Sequence, residues 1–146
     1  MTAWRHLFPI WPPSTNNIWR YERGVVHLSD AAKAFRRAVA DEIFIRRAQK
    51  ALPARMLASD LAVTLKLYPP DNYRRDIDNP LKSVLDAMTA AGLWWDDSRI
   101  KRLLVTMEPS DPERRGKFWI EVEELPTAPR PNKRPARNKK KGSGAP

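Results

Sequence analysis

Acidic and basic side chains are concentrated in one short stretch of the chain, residues 74–82 (RRDIDNPLK), and a second acidic pair follows at residues 96 and 97. Because like charges repel, carboxylates gathered in this way suggest a site for a cation. Hard divalent cations prefer carboxylate oxygens, and Mg²⁺ in particular is held by a few carboxylates together with phosphate oxygens of the substrate. The adjacent arginines favour phosphate as a partner. The residue types therefore predict a metal site that acts on phosphate.

Such a site contains most of what a nuclease needs. A bound divalent metal polarises the scissile phosphate, lowers the pKa of an attacking water and offsets charge on the leaving oxygen. The ammonium group of Lys82 would add fixed positive charge where negative charge develops. Taken singly, however, an aspartate before a helix is most often a cap or a solvated charge, and residues 96–98 (DDS) alone are typical of a turn.

The elements around the first acidic pair decide whether its carboxylates can converge. Pro80 fits the first position of a helix and Asn79 fits its N-cap, because proline presets φ and disfavours a helical residue before it. The segment before Asn79 is then extended. In an extended segment Asp76 and Asp78 share one face, and Ile77 turns to the opposite, buried side. Two carboxylates would thus converge beside a helix N-terminus.

The predicted helix also places residues beyond its first turn. Its apolar side chains recur at i, i+3, i+4 and i+7 and form one buried stripe; they are Leu81, Val84, Leu85 and Met88. Lys82 and Asp86 lie one turn apart beside that stripe. Gly92 followed by Leu93 indicates a helix end with a left-handed glycine and a hydrophobic contact, where the chain can reverse. The reversal could return the second acidic pair toward the first.

Together these segments resemble the signature of a known family, the RusA-type Holliday-junction resolvases, also called crossover junction endodeoxyribonucleases. The matching segments are residues 75–79 (RDIDN), Lys82, residues 86–87 (DA) and residues 91–97 (AGLWWDD). Residues 11–17 (WPPSTNN) resemble the opening motif of the same family, so the resemblance covers most of residues 4–124. The chain departs from the family pattern at Pro80 and in the doubled tryptophan Trp94 and Trp95. Neither departure removes a metal ligand.

The resemblance implies roles for individual residues. The implied ligands of the metal, Mg²⁺, are Asp76, Asp78 and Asp97. Lys82 matches the essential lysine, and Asp96 is the weaker neighbour of Asp97. The candidate DNA contacts come from the two motifs and from a basic helix face; they are Arg74, Arg75, Asn79, Asn16, Asn17, Arg36 and Arg37.

The implied activity is the resolution of four-way DNA junctions by paired, symmetric incisions, in recombination and repair. Symmetric cutting of a two-fold junction needs two sites related by two-fold symmetry, so a homodimer is expected. Two alternatives stay open. One is a nuclease of the same fold that acts on other branched DNA in phage genome processing. The other is a junction-binding protein without catalysis, which would not need all three aspartates together.

Composition agrees with one DNA-associated domain and a tail. The 146 residues carry a net charge of +10, and seven of the basic residues lie in residues 126–146, which contain no acid and several prolines. That segment is expected to be a disordered tail, which is a tether to DNA phosphates, a solubilising extension or a localisation-like basic run without consequence. Residues 1–125 are expected to form one domain.

Composition also excludes several classes of site. The chain has no cysteine, which excludes disulfides and thiolate metal sites, and His6 and His27 are too few and too separate to indicate zinc. No apolar run approaches the ~20 residues of a membrane span, so an intracellular protein is expected.

The remaining patterns predict an α+β fold, with a mixed, largely antiparallel sheet packed with two main helices. The resemblance implies that this fold is RusA-like. Ser29 suits the N-cap of a helix over residues 30–50, whose basic side includes Arg36 and Arg37. Alternating patterns bounded by turn residues predict the strands, which cover residues 4–10, 18–21, 25–28, 61–68, 100–107 and 117–124. Trp94 is expected to pack in the core or at an interface, whereas such packing and stacking on an unpaired base are equal alternatives for Trp95.

Overall fold

The structure is a computed structural model that describes residues 3–14 and 18–126. The predicted DNA contacts Asn16 and Asn17 lie outside the described residues, and so does the predicted tail from residue 127 onward. The division into a domain and a tail at residue 125 therefore stays a prediction.

The described part of the chain forms six strands and two helices. In chain order they are β1 (Ala3–Phe8), β2 (Trp19–Glu22), β3 (Val25–Leu28), α1 (Asp30–Ala48), β4 (Asp60–Tyr68), α2 (Asp78–Ala90), β5 (Ile100–Met107) and β6 (Lys117–Leu125). Four strands form one sheet in the order β1-β6-β4-β5, in which β6 is antiparallel to both neighbours and β4 is parallel to β5. The predicted class, α+β with a mixed, largely antiparallel sheet and two helices, is confirmed.

Alternation along the strands gives the sheet one apolar face, which the helices cover. In the register between β4 and β6, Leu65 lies opposite Ile120 and Leu67 lies opposite Phe118, and all four side chains are fully buried. The helices add side chains to the same core: Phe35, Val39 and Ile43 from α1, and Val84, Ala87 and Met88 from α2. Burying each large apolar side chain contributes roughly 1.5–3 kcal/mol. This core fixes α2, which carries the candidate site, against α1 and the sheet.

The first helix begins where the sequence predicts. The Ser29 hydroxyl accepts a hydrogen bond from the Ala32 N–H at 3.1 Å, which makes Ser29 the N-cap of α1. The helix ends at Ala48, two residues before the predicted end.

The start of α2 corrects the prediction. The helix begins at Asp78 rather than Pro80, Ile77 is the residue before it and already has helical dihedral angles, and Asn79 is inside the helix. Ile77 is 43% exposed rather than buried. The expected extended segment and the N-cap role of Asn79 are therefore wrong. The physical reason is that none of the first N–H groups of a helix has an intrahelical partner, so proline fits any position of the first turn.

The outer strands show two further features. The first strand ends at Phe8, two residues before the predicted end, because Pro9 has no N–H to continue the ladder. The β2–β3 hairpin is present as predicted, with exposed side chains at Trp19, Tyr21 and Val26 on one face.

Neither described helix combines the length and the apolar character needed to span a membrane.

Candidate active site

The chain reverses after α2 in the predicted way. Gly92 has a φ of 72°, and its N–H donates to the Thr89 carbonyl at 3.0 Å, while the Leu93 N–H donates to the Met88 carbonyl at 3.1 Å. This pattern is a Schellman motif, in which the left-handed residue is most often glycine. Arg47 of α1 donates to the Gly92 carbonyl at 2.9 Å. The helix end is thus fixed both locally and by α1.

The reversal brings Asp97 to the side of α2. Asp78, Lys82 and Asp86 lie one helical turn apart along α2 and line a groove of about 370 Å³. Asp97, which begins the short 3-10 turn Asp97–Arg99, lines the same groove. We call this surface the acidic groove; its other lining residues are Leu81 and Leu85. Three of the predicted site residues, Asp78, Lys82 and Asp97, are therefore neighbours.

The carboxylate of Asp97 is held by two donors. The Thr89 hydroxyl of α2 and the indole Nε1 of Trp94 both donate to Asp97 Oδ1, the latter at 3.0 Å. The indole Nε1 also lies 2.8 Å from Thr89 Oγ1. Sequence reasoning did not single out Thr89. The available signal was its position on α2, because Thr89 follows Asp78, Lys82 and Asp86 at helical spacing on the same face.

The adjacent acid, Asp96, is arranged differently. Its side chain is exposed and accepts a hydrogen bond from the Ser98 hydroxyl at 2.8 Å, and it does not line the acidic groove. The geometry therefore distinguishes Asp97 from Asp96.

Asp76 lies on a second groove beside the first. This groove has a volume of about 540 Å³, and we call it the basic groove; its lining residues are Trp11, Pro12, Ser14, Arg74, Arg75, Asp76, Asn79 and Pro80. Among residues 3–14 and 18–126, no three Asp, Glu, His or Cys side chains are grouped closely enough to hold a metal ion. The joint ligand set of Asp76, Asp78 and Asp97 therefore stays a prediction. The donor chemistry fits Mg²⁺, because Asp78 and Asp97 present carboxylate oxygens to one groove.

Lys82 shares its carboxylate partner with a residue of α1. Its ammonium lies 3.4 Å from Asp86 Oδ2, and its side chain is 61% exposed. Arg36, a predicted DNA contact, lies 4.0 Å from the same Asp86 oxygen. Arg37 is exposed on α1. The predicted basic face of α1 thus reaches the acidic groove through Arg36.

Arg75 has a fixed position in the basic groove. It donates hydrogen bonds to the Asp71 carboxylate and to the Tyr73 carbonyl, and its guanidinium lies 5.8 Å from the centre of the Trp11 ring. The hydrogen bond from Arg75 lowers the pKa of the Asp71 carboxyl. Arg74, in contrast, is exposed, so its charge is accessible to a phosphate.

A buried carboxylate in the loop between β5 and β6 supports the wall of the basic groove. Asp111 accepts hydrogen bonds from the N–H groups of Glu113 at 3.2 Å and Gly116 at 3.1 Å, and Lys117 Nζ lies 3.4 Å away. Burial raises the pKa of Asp111, but these groups together hold it below its ordinary value. Gly116 has a φ of 79°, and a Cβ there would lie 2.7 Å from the Trp11 Cβ. The sequence signal for Asp111 was an aspartate within a polar loop, directly before Pro112.

The two adjacent tryptophans have opposite environments. Trp94 is fully buried, which confirms that it packs in the core. Trp95 is 62% exposed, with the Arg99 guanidinium 5.7 Å from its ring centre. Core packing is thus wrong for Trp95, whereas interface packing and base stacking stay hypotheses.

Comparisons with known proteins identify the family of the chain. A family model described as endodeoxyribonuclease RusA matches residues 9–123. The chain is 35% identical to crossover junction endodeoxyribonuclease RusA of Escherichia coli O139:H28 over 115 residues, which are 79% of this chain and 90% of that protein. It is 36% identical to the protein of that name from Escherichia coli K12, over 68% of this chain and 78% of the relative. A relative from Enterobacteria phage 82 is 35% identical, over 71% of this chain and 82% of its own length. The chain therefore belongs to the RusA endodeoxyribonuclease family.

Proposed function

We propose that this protein is a metal-dependent endodeoxyribonuclease that resolves four-way DNA junctions by paired, symmetric incisions. The observation that carries the proposal is the acidic groove, where Asp78, Lys82 and Asp97 lie together on a chain of the RusA family. The relatives are named crossover junction endodeoxyribonucleases, which supplies the class of substrate.

The proposed ligands of Mg²⁺ are Asp76, Asp78 and Asp97. Mg²⁺ keeps several waters and takes few protein carboxylates, so a site of two or three aspartates suits it. When bound, the metal would polarise the scissile phosphate and lower the pKa of an attacking water. Asp78 lies in the first turn of α2, where the helix dipole favours a negative charge.

The basic residues complete the proposed mechanism of hydrolysis. Lys82 carries its ammonium on an exposed, flexible stem at the acidic groove, where it can offset charge on the phosphate or the leaving oxygen. The proposed DNA contacts are Arg74, Arg75 and Asn79 in the basic groove, Arg36 and Arg37 on α1, and Asn16 and Asn17, which the sequence places in the opening motif. Phosphate contacts position the backbone without reading sequence, so the folded protein would recognise the shape of the junction.

We infer a homodimer from the symmetry of the substrate. The described part of one chain supplies one acidic groove, whereas a four-way junction presents two scissile phosphates related by two-fold symmetry. Two copies related by the same symmetry would cut both strands in one bound complex. Sedimentation of the protein with and without a junction tests this inference, and a purely monomeric complex with one junction would contradict it.

The process in which the junction arises has two candidates. Recombination and repair of cellular DNA is the first, and either process places the activity inside the cell. Processing of branched phage DNA is the second, and the relative from Enterobacteria phage 82 favours it. Comparing cleavage of four-way, three-way and flapped DNA distinguishes a dedicated junction resolvase from a nuclease with broader selectivity.

The decisive experiment is a junction-cleavage assay with and without Mg²⁺, using wild-type protein and three matched variants. Asp78→Asn and Asp97→Asn should abolish cleavage while junction binding stays intact or becomes stronger, because each removes a metal ligand and some repulsion of the phosphate. Asp96→Asn, which changes a carboxylate outside the acidic groove, is the control and should still cut. Binding without any Mg²⁺-dependent cleavage in the wild type would identify a non-catalytic junction-binding protein instead.

A further inference from the structure

The carboxylate of Asp97 is anchored through only one of its two oxygens. Oδ1 accepts hydrogen bonds from the Thr89 hydroxyl and from Trp94 Nε1 at 3.0 Å, whereas Oδ2 accepts none from the described residues. The two donors also contact each other, since Trp94 Nε1 lies 2.8 Å from Thr89 Oγ1. We call Thr89 and Trp94 together the Asp97 clamp.

The clamp is rigid because its two members belong to fixed elements. Trp94 is fully buried, and the backbone on both sides of it is hydrogen bonded to Leu57: the Leu57 N–H donates to the Leu93 carbonyl at 2.9 Å, and the Trp95 N–H donates to the Leu57 carbonyl at 3.1 Å. Thr89 lies in the last turns of α2. The orientation of the Asp97 carboxylate is therefore set by the core of the protein.

Core packing alone does not require this arrangement. The buried indole N–H of Trp94 needs an acceptor, and Thr89 Oγ1 at 2.8 Å already supplies one. A threonine within a helix commonly donates its hydroxyl to the backbone carbonyl one turn earlier. Here the hydroxyl donates to the carboxylate instead, so both donors converge on Oδ1 and leave Oδ2 without a donor among the described residues. Asp97 lines the groove that Asp78 and Lys82 also line.

We propose that Thr89 and Trp94 are positioning residues that orient Asp97 so that its Oδ2 binds the catalytic metal. This inference rests on the proposed function, because it needs Asp97 to be a ligand. Hydrogen bonds to a ligating carboxylate fix its direction before the metal arrives, and loss of such a partner typically lowers metal affinity by about 10- to 100-fold. Thr89 and Trp94 would hold only Asp97 and would act on the metal through it.

The test compares variants of Thr89 by metal binding to the protein without DNA. Thr89→Val removes the hydroxyl and keeps a β-branched side chain of similar volume, while Thr89→Ser keeps the hydroxyl. Binding of Mn²⁺, measured by titration calorimetry, should weaken by about tenfold or more in Thr89→Val and recover in Thr89→Ser. Thr106→Val is the matched control for loss of a threonine hydroxyl, because Thr106 lies on the exposed side of β5. This variant should bind Mn²⁺ with the affinity of the wild type.

A second readout separates positioning from folding. In single-turnover cleavage of a four-way junction, Thr89→Val should need a higher Mg²⁺ concentration for half of the maximal rate, and thermal unfolding shows whether the variant is folded. If Thr89→Val unfolds, Thr89→Ala carries the same expectation. Equal Mn²⁺ affinity in the wild type and Thr89→Val, with affinity lost in Asp97→Asn, would overturn the positioning role alone. Absence of Mn²⁺ binding in the wild type would overturn the proposed function as well.

Discussion

Replacing Lys82 by alanine should separate the stability of this protein from its activity. The Lys82 ammonium lies 3.4 Å from Asp86 Oδ2, one helical turn away, and the lysine side chain is 61% exposed. The side chain borders the buried stripe of α2 and is not part of it. A structural role for Lys82 would therefore be limited to this one ion pair.

The expected effects of Lys82→Ala on the free energy of unfolding and on the cleavage rate differ widely. An exposed ion pair between residues i and i+4 of a helix contributes roughly 0.3–0.5 kcal/mol, and alanine is a good helix former, so Lys82→Ala should change the free energy of unfolding by less than about 0.5 kcal/mol. Loss of a fixed charge that stabilises the transition state lowers the rate by about 100- to 1,000-fold, equivalent to about 3–4 kcal/mol. Lys82→Ala should therefore fold normally and cut poorly.

Single-turnover cleavage of a four-way junction at saturating Mg²⁺ measures the rate, and urea denaturation measures the stability. Asp86→Asn is the matched control, because it breaks the same ion pair and keeps the ammonium. It also removes the Asp86 partner of Arg36 at 4.0 Å, so it should lower stability at least as much as Lys82→Ala does, and it should still cut. The reasoning is refuted if Lys82→Ala cuts at the wild-type rate, or if both variants lose activity equally, since the ion pair and not the charge would then matter.

Three further predictions concern other parts of the molecule. Gly116→Ala should lower the free energy of unfolding by roughly 1–3 kcal/mol, because alanine would need a positive φ and would clash with Trp11; unchanged urea denaturation would contradict this. Asp111→Asn should be less stable than wild type near neutral pH, and the difference should shrink as the pH falls through the folded-state pKa, because a carboxyl whose pKa is lowered by folding stabilises only while it is ionised. A difference that is the same at acid pH would assign the effect to shape instead of charge. Deleting residues 126–146 should weaken binding to every DNA shape. It should also lower the slope of log K against log salt by roughly 0.9 for each duplex phosphate that the tail no longer neutralises. A loss of junction preference with unchanged duplex affinity would instead give the tail a role in recognition.

Most elements could be predicted because their signals are local. The alternation in β6, the N-cap at Ser29 and the left-handed Gly92 each depend on a few adjacent residues, and the structure has all three. The bounds of β5 match the prediction as well. The reversal after α2, which places Asp97 in the acidic groove, followed from Gly92 and Leu93 alone.

The predictions fail where the local sequence signal is ambiguous, or where the environment of a residue depends on residues that are distant in the chain. Pro80 marks the first turn of a helix but not its first residue, so the predicted geometry of Asp76 and Asp78 was wrong, and the two acids line different grooves. Thr89 becomes informative only after the chain folds back and its hydroxyl meets Asp97. Asp111 resembles many exposed loop aspartates in sequence, and its burial depends on the packing of the loop.

The position of β6 in the sheet affects how the protein is made. β6 is the last described strand, but it lies between β1 and β4. Ribosomes deliver a chain from its N-terminus, so β1 has no pairing partner until residues 117–125 have been synthesised, and the edge of β4 that β6 will occupy stays open. Open edges pair readily with other chains. A premature stop before β6 is therefore expected to yield an aggregating fragment and not a partly active nuclease, and nascent chains should depend on chaperones until β6 is released.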